Sequence, residues 1–176
     1  DLHTAYRRQR QMCIRDRSQP VQAKLTELNI PFEIVNHPPA TTTAEADSYI
    51  KGISGVRTKS MFLTNRRKSA YYLLIVDDQK HLDMHKFAEI VDEKRLHLAS
   101  STSLMKKMKL APGIVSPFGL LNNAERDVRV YFDKDIVDEQ RMSFHPNTNE
   151  QTIFLATTDL FKFIEAVGFV YRVVEL

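Results

Sequence analysis

The sequence predicts an α+β domain built around a mixed, largely antiparallel sheet with flanking helices. Three observations predict it. Strand-like and helix-like stretches follow one another irregularly, whereas a doubly wound fold would alternate them strictly. Tyr71-Tyr72-Leu73-Leu74-Ile75-Val76 is an unbroken apolar run of the kind found in strands buried on both faces. Residues 59–64 (KSMFLT) read as a strand just before it, across a polar turn at 65–69, which is the pattern of a hairpin.

The other elements follow in chain order. In 19–29 (QPVQAKLTELN), Val21, Leu25 and Leu28 share one helical face, with Pro20 near the first turn, where proline is tolerated. Residues 30–35 (IPFEIV) suggest a short strand running into the breaker Asn36-His37-Pro38-Pro39. A second helix is expected over 41–50, where Thr42 and Glu45 have capping-box spacing. An amphipathic helix is expected over 83–91, with Met84, Phe87, Ile90 and Val91 inward. Leu96-His97-Leu98 reads as extended, and Ser101 or Thr102 should start a helix ending at Met108. Residues 112–119 form a breaker-rich loop. Strands are expected at 128–132, 152–156 and 169–174, and a helix capped by Thr158 or Asp159 and closed by Gly168 lies between the last two.

A chain of 176 residues with 43% apolar content can bury one substantial core. No apolar run approaches the ~20 residues needed to span a bilayer, and the Arg-rich start lacks the apolar centre of a secretory signal. The single cysteine, Cys13, excludes an internal disulfide and a multi-cysteine zinc site, so a cytoplasmic location is expected. Charge is unevenly placed. Residues 1–17 hold five Arg and two Asp, which equals the +3 of the whole chain, so the remaining 159 residues are neutral. A body without excess cations does not grip many phosphates; contact with RNA should be confined to a strand end. Residues 1–17 also lack any periodic apolar pattern. Met12-Cys13-Ile14-Arg15-Asp16-Arg17 back-translates to a string resembling a transposon end used in sequencing libraries. The segment reads as an artefactual or disordered tail, with the domain at 18–176.

Four features can carry chemistry. Lys59 opens an otherwise apolar strand, where an ammonium can hold a phosphate while its stem packs on apolar neighbours; a solvated strand end is the plainer reading. Pro112-Gly113-Ile114-Val115-Ser116-Pro117-Phe118-Gly119 can turn backbone N–H groups toward an anion or oxyanion, or simply join two elements. His145, between Phe144 and Pro146, can exchange hydrogen bonds near neutral pH or be satisfied by backbone. His37-Pro38-Pro39-Ala40-Thr41 stiffens the approach to a helix. His81 and His85 have the i, i+4 spacing of metal ligands but lack the glutamate of a zinc-protease motif, so no metal is expected. Phosphate-loop and dinucleotide fingerprints are missing.

In order and approximate spacing, HPPATTTAEAD (37–47), KSMFL (59–63), APGIVSPFGLLNN (111–123), FHPNTNEQT (144–152) and TTDLFKFIEAVG (157–168) resemble the YbaK/prolyl-tRNA synthetase-associated editing domain family, in its free-standing Ala-tRNA(Pro) deacylase branch. The resemblance implies a curved mixed sheet, no metal or organic cofactor, and hydrolysis of a mischarged aminoacyl ester by water with help from the substrate's ribose hydroxyl. It places the family's lysine at Lys59, its GxxxP loop at Gly113–Pro117 and its histidine at His145. His37, Thr41, Ser60, Ile114, Val115, Ser116, Pro117 and Phe118 are expected among the substrate contacts. The implied partner is the acceptor end of mischarged tRNA, with prolyl-tRNA synthetase as a further partner and a monomeric protein. Ser60 departs from the amide or threonine of many relatives, and the polar Asn149-Glu150-Gln151 separates the His145 region from Thr152; both can alter which amino acid is removed, and cysteine or serine is the alternative within the class. A non-catalytic tRNA-binding or synthetase-associated module is the alternative outside hydrolysis.

Overall fold

The structure, a computed structural model, describes residues 17–176; the tail at 1–16 lies outside the described residues. Residue 17 is already helical, in α1 (17–27). There follow β1 (Glu33–Asn36), α2 (Thr43–Tyr49), β2 (Val56–Asn65), β3 (Tyr71–Asp77), α3 (Met84–Ile90), β4 (Leu96–Leu98) and α4 (Ser101–Met108). A 3-10 helix (Pro117–Asn122), β5 (Val128–Asp133), α5 (Lys134–Val137), β6 (Arg141–Phe144), β7 (Gln151–Ala156), α6 (Thr157–Ala166) and β8 (Tyr171–Val174) complete it.

Among the described residues, eight strands form one mixed sheet in the order β1-β7-β6-β2-β3-β5-β8, with β4 beside the far end of β2. The expected hairpin is present, β2 pairing antiparallel with β3 from Thr58↔Asp77 to Thr64↔Tyr71. β3–β5, β5–β8 and β2–β6 are parallel. The β2–β6 junction has two registered pairs, Val56↔Met142 and Arg57↔Ser143. The apolar run in β3 is explained by burial on both faces. Leu73 and Ile75 join a large core with Val21 and Leu25 of α1, Met108 of α4, and Leu160 and Phe163 of α6. Tyr72, Leu74 and Val76 meet Phe87 of α3 and Tyr131 on the other face.

Several local expectations are corrected. Ile90 is exposed, and Ala88 takes its place beside Phe87 on the inner side of α3. Ser101 does start α4 as expected, after a cap by Ser100, whose Oγ accepts from the Ser103 amide. No side-chain cap bond starts α6, which begins at Thr157. Thr42 Oγ1 accepts from the Glu45 amide, but the Glu45 carboxylate reaches back to Thr41, one residue earlier than a capping box requires. Neither α5 nor β6 was expected; each is four residues long, too short for a period to emerge.

Candidate active site

A hollow of about 260 Å³ opens where the first residues of β2 meet the ends of β6 and β7. Lys59, Gly113 and His145 all border it, as do Thr41, Ser60 and Val115. Residues 40–43 and α2 form one wall, and Thr58, Ser143 and Thr152 form the floor.

Lys59 reaches the hollow from β2, where it pairs with Val76. Its Nζ donates to the Lys80 carbonyl at 2.6 Å, leaving two of its three donors for a ligand. The Lys80 ammonium is in turn held by Asp133 and Asp135, so the carbonyl that receives Lys59 sits on an anchored loop.

The bend at 113–117 depends on Gly113, whose φ of +87° lies in the left-handed region. Beyond it, Ser116 is fully buried. Its hydroxyl accepts from the Phe118 amide and donates to Asn147 Oδ1 at 3.0 Å, capping the 3-10 helix and tying the bend to the segment after His145. Pro117 occupies the first helical position, where a missing N–H costs nothing. Phe118 was expected against the substrate; its ring is wholly buried against Phe144 and Phe163, with centroids 6.0 and 5.2 Å away. It braces the bend from below. Ile114 turns away into a second hollow beside Met105, Leu110 and Leu121.

His145 lies just past β6. A carbonyl can only accept, so the 3.1 Å contact from its Nδ1 to the Gln151 oxygen fixes the proton on Nδ1. Burial pushes the imidazole below its ordinary pKa; the Gln151 bond opposes this and the nearby His37 ring adds to it. The ring is therefore neutral at pH 7, and Nε2 is an acceptor. His37 stands behind the floor, stacked on Tyr49 at 5.3 Å and edge-on to His145 at 6.4 Å.

Sequence reasoning missed three groups here. Arg57 donates to the carbonyls of Ile50, Ile53 and Gly55, holding the end of α2 and the turn after it against the sheet. Asp47 lines the hollow beside Asp78, whose carboxyl is pushed up to about 6, first by burial and then by Asp47. Thr58 Oγ1 donates to the Ser143 carbonyl and Ser143 Oγ to the Val56 carbonyl, strapping the two-pair junction under the site. None of these carries a local motif. Among the described residues, no group of three or more His, Cys, Asp or Glu is placed to hold a metal ion, and no helix is long and apolar enough to cross a membrane.

The site sits within a stretch of known type: the model of the aminoacyl-tRNA editing domain matches residues 37–163. The prolyl-tRNA editing protein ProX of Acetoanaerobium sticklandii is 34% identical over 162 residues, covering 92% of this chain and 98% of that protein. The prolyl-tRNA synthetase associated domain-containing protein 1 of Mus musculus is 27% identical over 152 residues, 84% of this chain and 89% of that one. A solved structure described as a candidate trans-editing enzyme for prolyl tRNA synthetase superposes with a TM-score of 0.73 at 20% identity, covering 91% of this chain and 96% of that one; it shares the fold.

Proposed function

Since the chain belongs to the aminoacyl-tRNA editing domain family, we propose that it is a trans-acting deacylase whose substrate is Ala-tRNA(Pro). The observation that carries this reading is the convergence of Lys59, the Gly113 bend and His145 on one small hollow, from three separate parts of the chain. Lys59 is suited to steady the phosphate or ribose of the terminal adenosine as a compact cation. The amides of the bend are suited to the developing oxyanion of the ester, where each good donor contributes ~3–4 kcal/mol. His145, neutral and accepting at Nε2, orients a hydroxyl or water. The ribose hydroxyl next to the ester assists attack, so no protein nucleophile is required.

The physics of selection fits alanine. A pocket built for proline rejects alanine weakly, because each missing methylene is worth only ~1–3 kcal/mol, and a second, smaller sieve corrects the error. A neutral body suits a partner grasped at its single-stranded end, with prolyl-tRNA synthetase as the source of the mischarged ester. The test is hydrolysis of Ala-, Ser-, Cys- and Pro-tRNA(Pro) by the purified protein. Fastest loss of the alanyl ester, with Pro-tRNA(Pro) spared, is expected. An alanyl ester as long-lived with the protein as without it overturns the proposal, and an ester protected by the protein identifies a binding module instead.

A further inference from the structure

Thr152 has no role in the scheme above, yet it is 3% exposed and forms the floor of the hollow. Its hydroxyl meets His37 Nε2 at 2.9 Å. The other ring nitrogen of His37 contacts the Pro38 carbonyl at 2.8 Å and must carry a proton to do so. In the neutral ring Nε2 is then a bare acceptor. The Thr152 hydroxyl donates its one hydrogen to it, and the lone pairs of Oγ1 remain for the hollow.

His145 obeys the same accounting, with Nδ1–H spent on Gln151 and Nε2 left to accept. β6 and β7 pair antiparallel up to Phe144↔Ile153, and continuing that register sets His145 opposite Thr152. Side chains opposite each other share a face, with Cβ atoms about 5 Å apart. One floor thus presents two side-chain acceptors whose own protons are committed elsewhere.

A water molecule has two hydrogens to give. Donating both to this pair would hold it with its remaining lone pairs directed away from the floor, toward an ester lying in the hollow. We infer that Thr152 and His145 together hold the attacking water, and that His37 is a positioning residue acting through Thr152. This rests on the hydrolytic reading. In the reaction the water oxygen bonds to the ester carbonyl carbon and the bond from that carbon to the ribose oxygen breaks. One water proton ends on the ribose oxygen. The other leaves with the amino acid's carboxyl group, which ionises into solvent.

The experiment is deacylation of Ala-tRNA(Pro) by wild type, Thr152→Val, Thr152→Ser and His37→Phe, each first checked for an unchanged thermal midpoint. Valine keeps the shape and removes the hydroxyl; kcat should fall by about 10- to 100-fold while KM holds within about twofold. Serine should restore most of the rate. Phenylalanine, which keeps the stack on Tyr49 but loses Nε2, should fall in kcat in the same direction. Long-range proton–nitrogen NMR of the free protein should find both histidines protonated at Nδ1. A Thr152→Val rate within about twofold of wild type, or a proton on His145 Nε2, overturns the inference alone. Failure of the wild type to hydrolyse the ester overturns the functional reading and this inference with it.

Discussion

At the scale of single residues, Lys59 and His145 make different claims. Lys59 keeps two ammonium donors for a ligand, and its Nζ–Lys80 bond already sets its direction. Lys59→Ala should lower kcat/KM by about 10- to 100-fold, the usual loss of a charged hydrogen bond, and Lys59→Arg should not rescue it because a planar fork does not reproduce a point charge. Steady-state deacylation checks both. His145 makes a claim about pH. Its folded pKa is depressed by burial, so the unfolded chain binds the proton first as pH falls. Stability is therefore full above the unfolded value, ~6.5, and is lost as pH drops from there through the folded value. Asp78 acts with the opposite sign. Raised to about 6 in the fold, it holds a proton that the unfolded chain has released, so its contribution is present below ~3.9 and is lost as pH rises through 6. Denaturation midpoints measured from pH 4 to 8 should show the acid loss shrink in His145→Gln. Asp78→Asn should raise stability at pH 7 and give no gain at pH 4. His37, expected against the substrate, stands behind the floor instead; Lys59 and His145 were legible as candidates, one in an apolar run and one beside a breaker. Thr152, Asp47 and Asp78 were not, since an ordinary strand threonine and two surface-type aspartates acquire meaning only from what folding sets beside them.

At the scale of elements, α2 and the turn after it are held by one side chain. The Ile50, Ile53 and Gly55 carbonyls all accept from Arg57, and its guanidinium lies over the Phe154 ring at 5.3 Å. Arg57→Met should leave those acceptors unpaired, costing about 2 kcal/mol in denaturant titration and weakening the wall that faces Lys59. The elements with a clean period were readable in advance: α1 from Val21, Leu25 and Leu28, and β3 from its six apolar residues. Those that depend on neighbours were not. Arg141-Met142-Ser143-Phe144 shows no long alternation and is a strand because β2 and β7 supply partners on both sides. Phe118 looked like a ligand contact for a related reason, since a breaker-rich loop does not announce which of its residues turns back into the core.

At the scale of the whole molecule, the sheet falls into two blocks that meet along β2 and β6. One block, β2-β3-β5-β8, is centred on β3, which is covered on both faces; the other, β1-β7-β6, is joined to it by two registered pairs and the Thr58 and Ser143 straps. Local openings follow the fewest bonds, so hydrogen exchange should separate the blocks. In a Thr58→Val, Ser143→Ala double variant, amides at 142–143 and 56–58 should exchange faster, by the roughly 1 kcal/mol each strap contributes, while 73–76 keep their protection. Mass-resolved exchange checks this. The mixed sheet, the hairpin and the meeting of the Lys59, Gly113 and His145 segments were expected from the sequence; this division was not, because it depends on how short one junction is. It also bears on how such a site changes over evolution. The chamber lies across a joint between two plates of the sheet, so its width can be reset by exchanging the pins of that joint. A lineage could then come to process a bulkier or a slimmer acyl group with the lysine, the glycine bend and the imidazole left as they are.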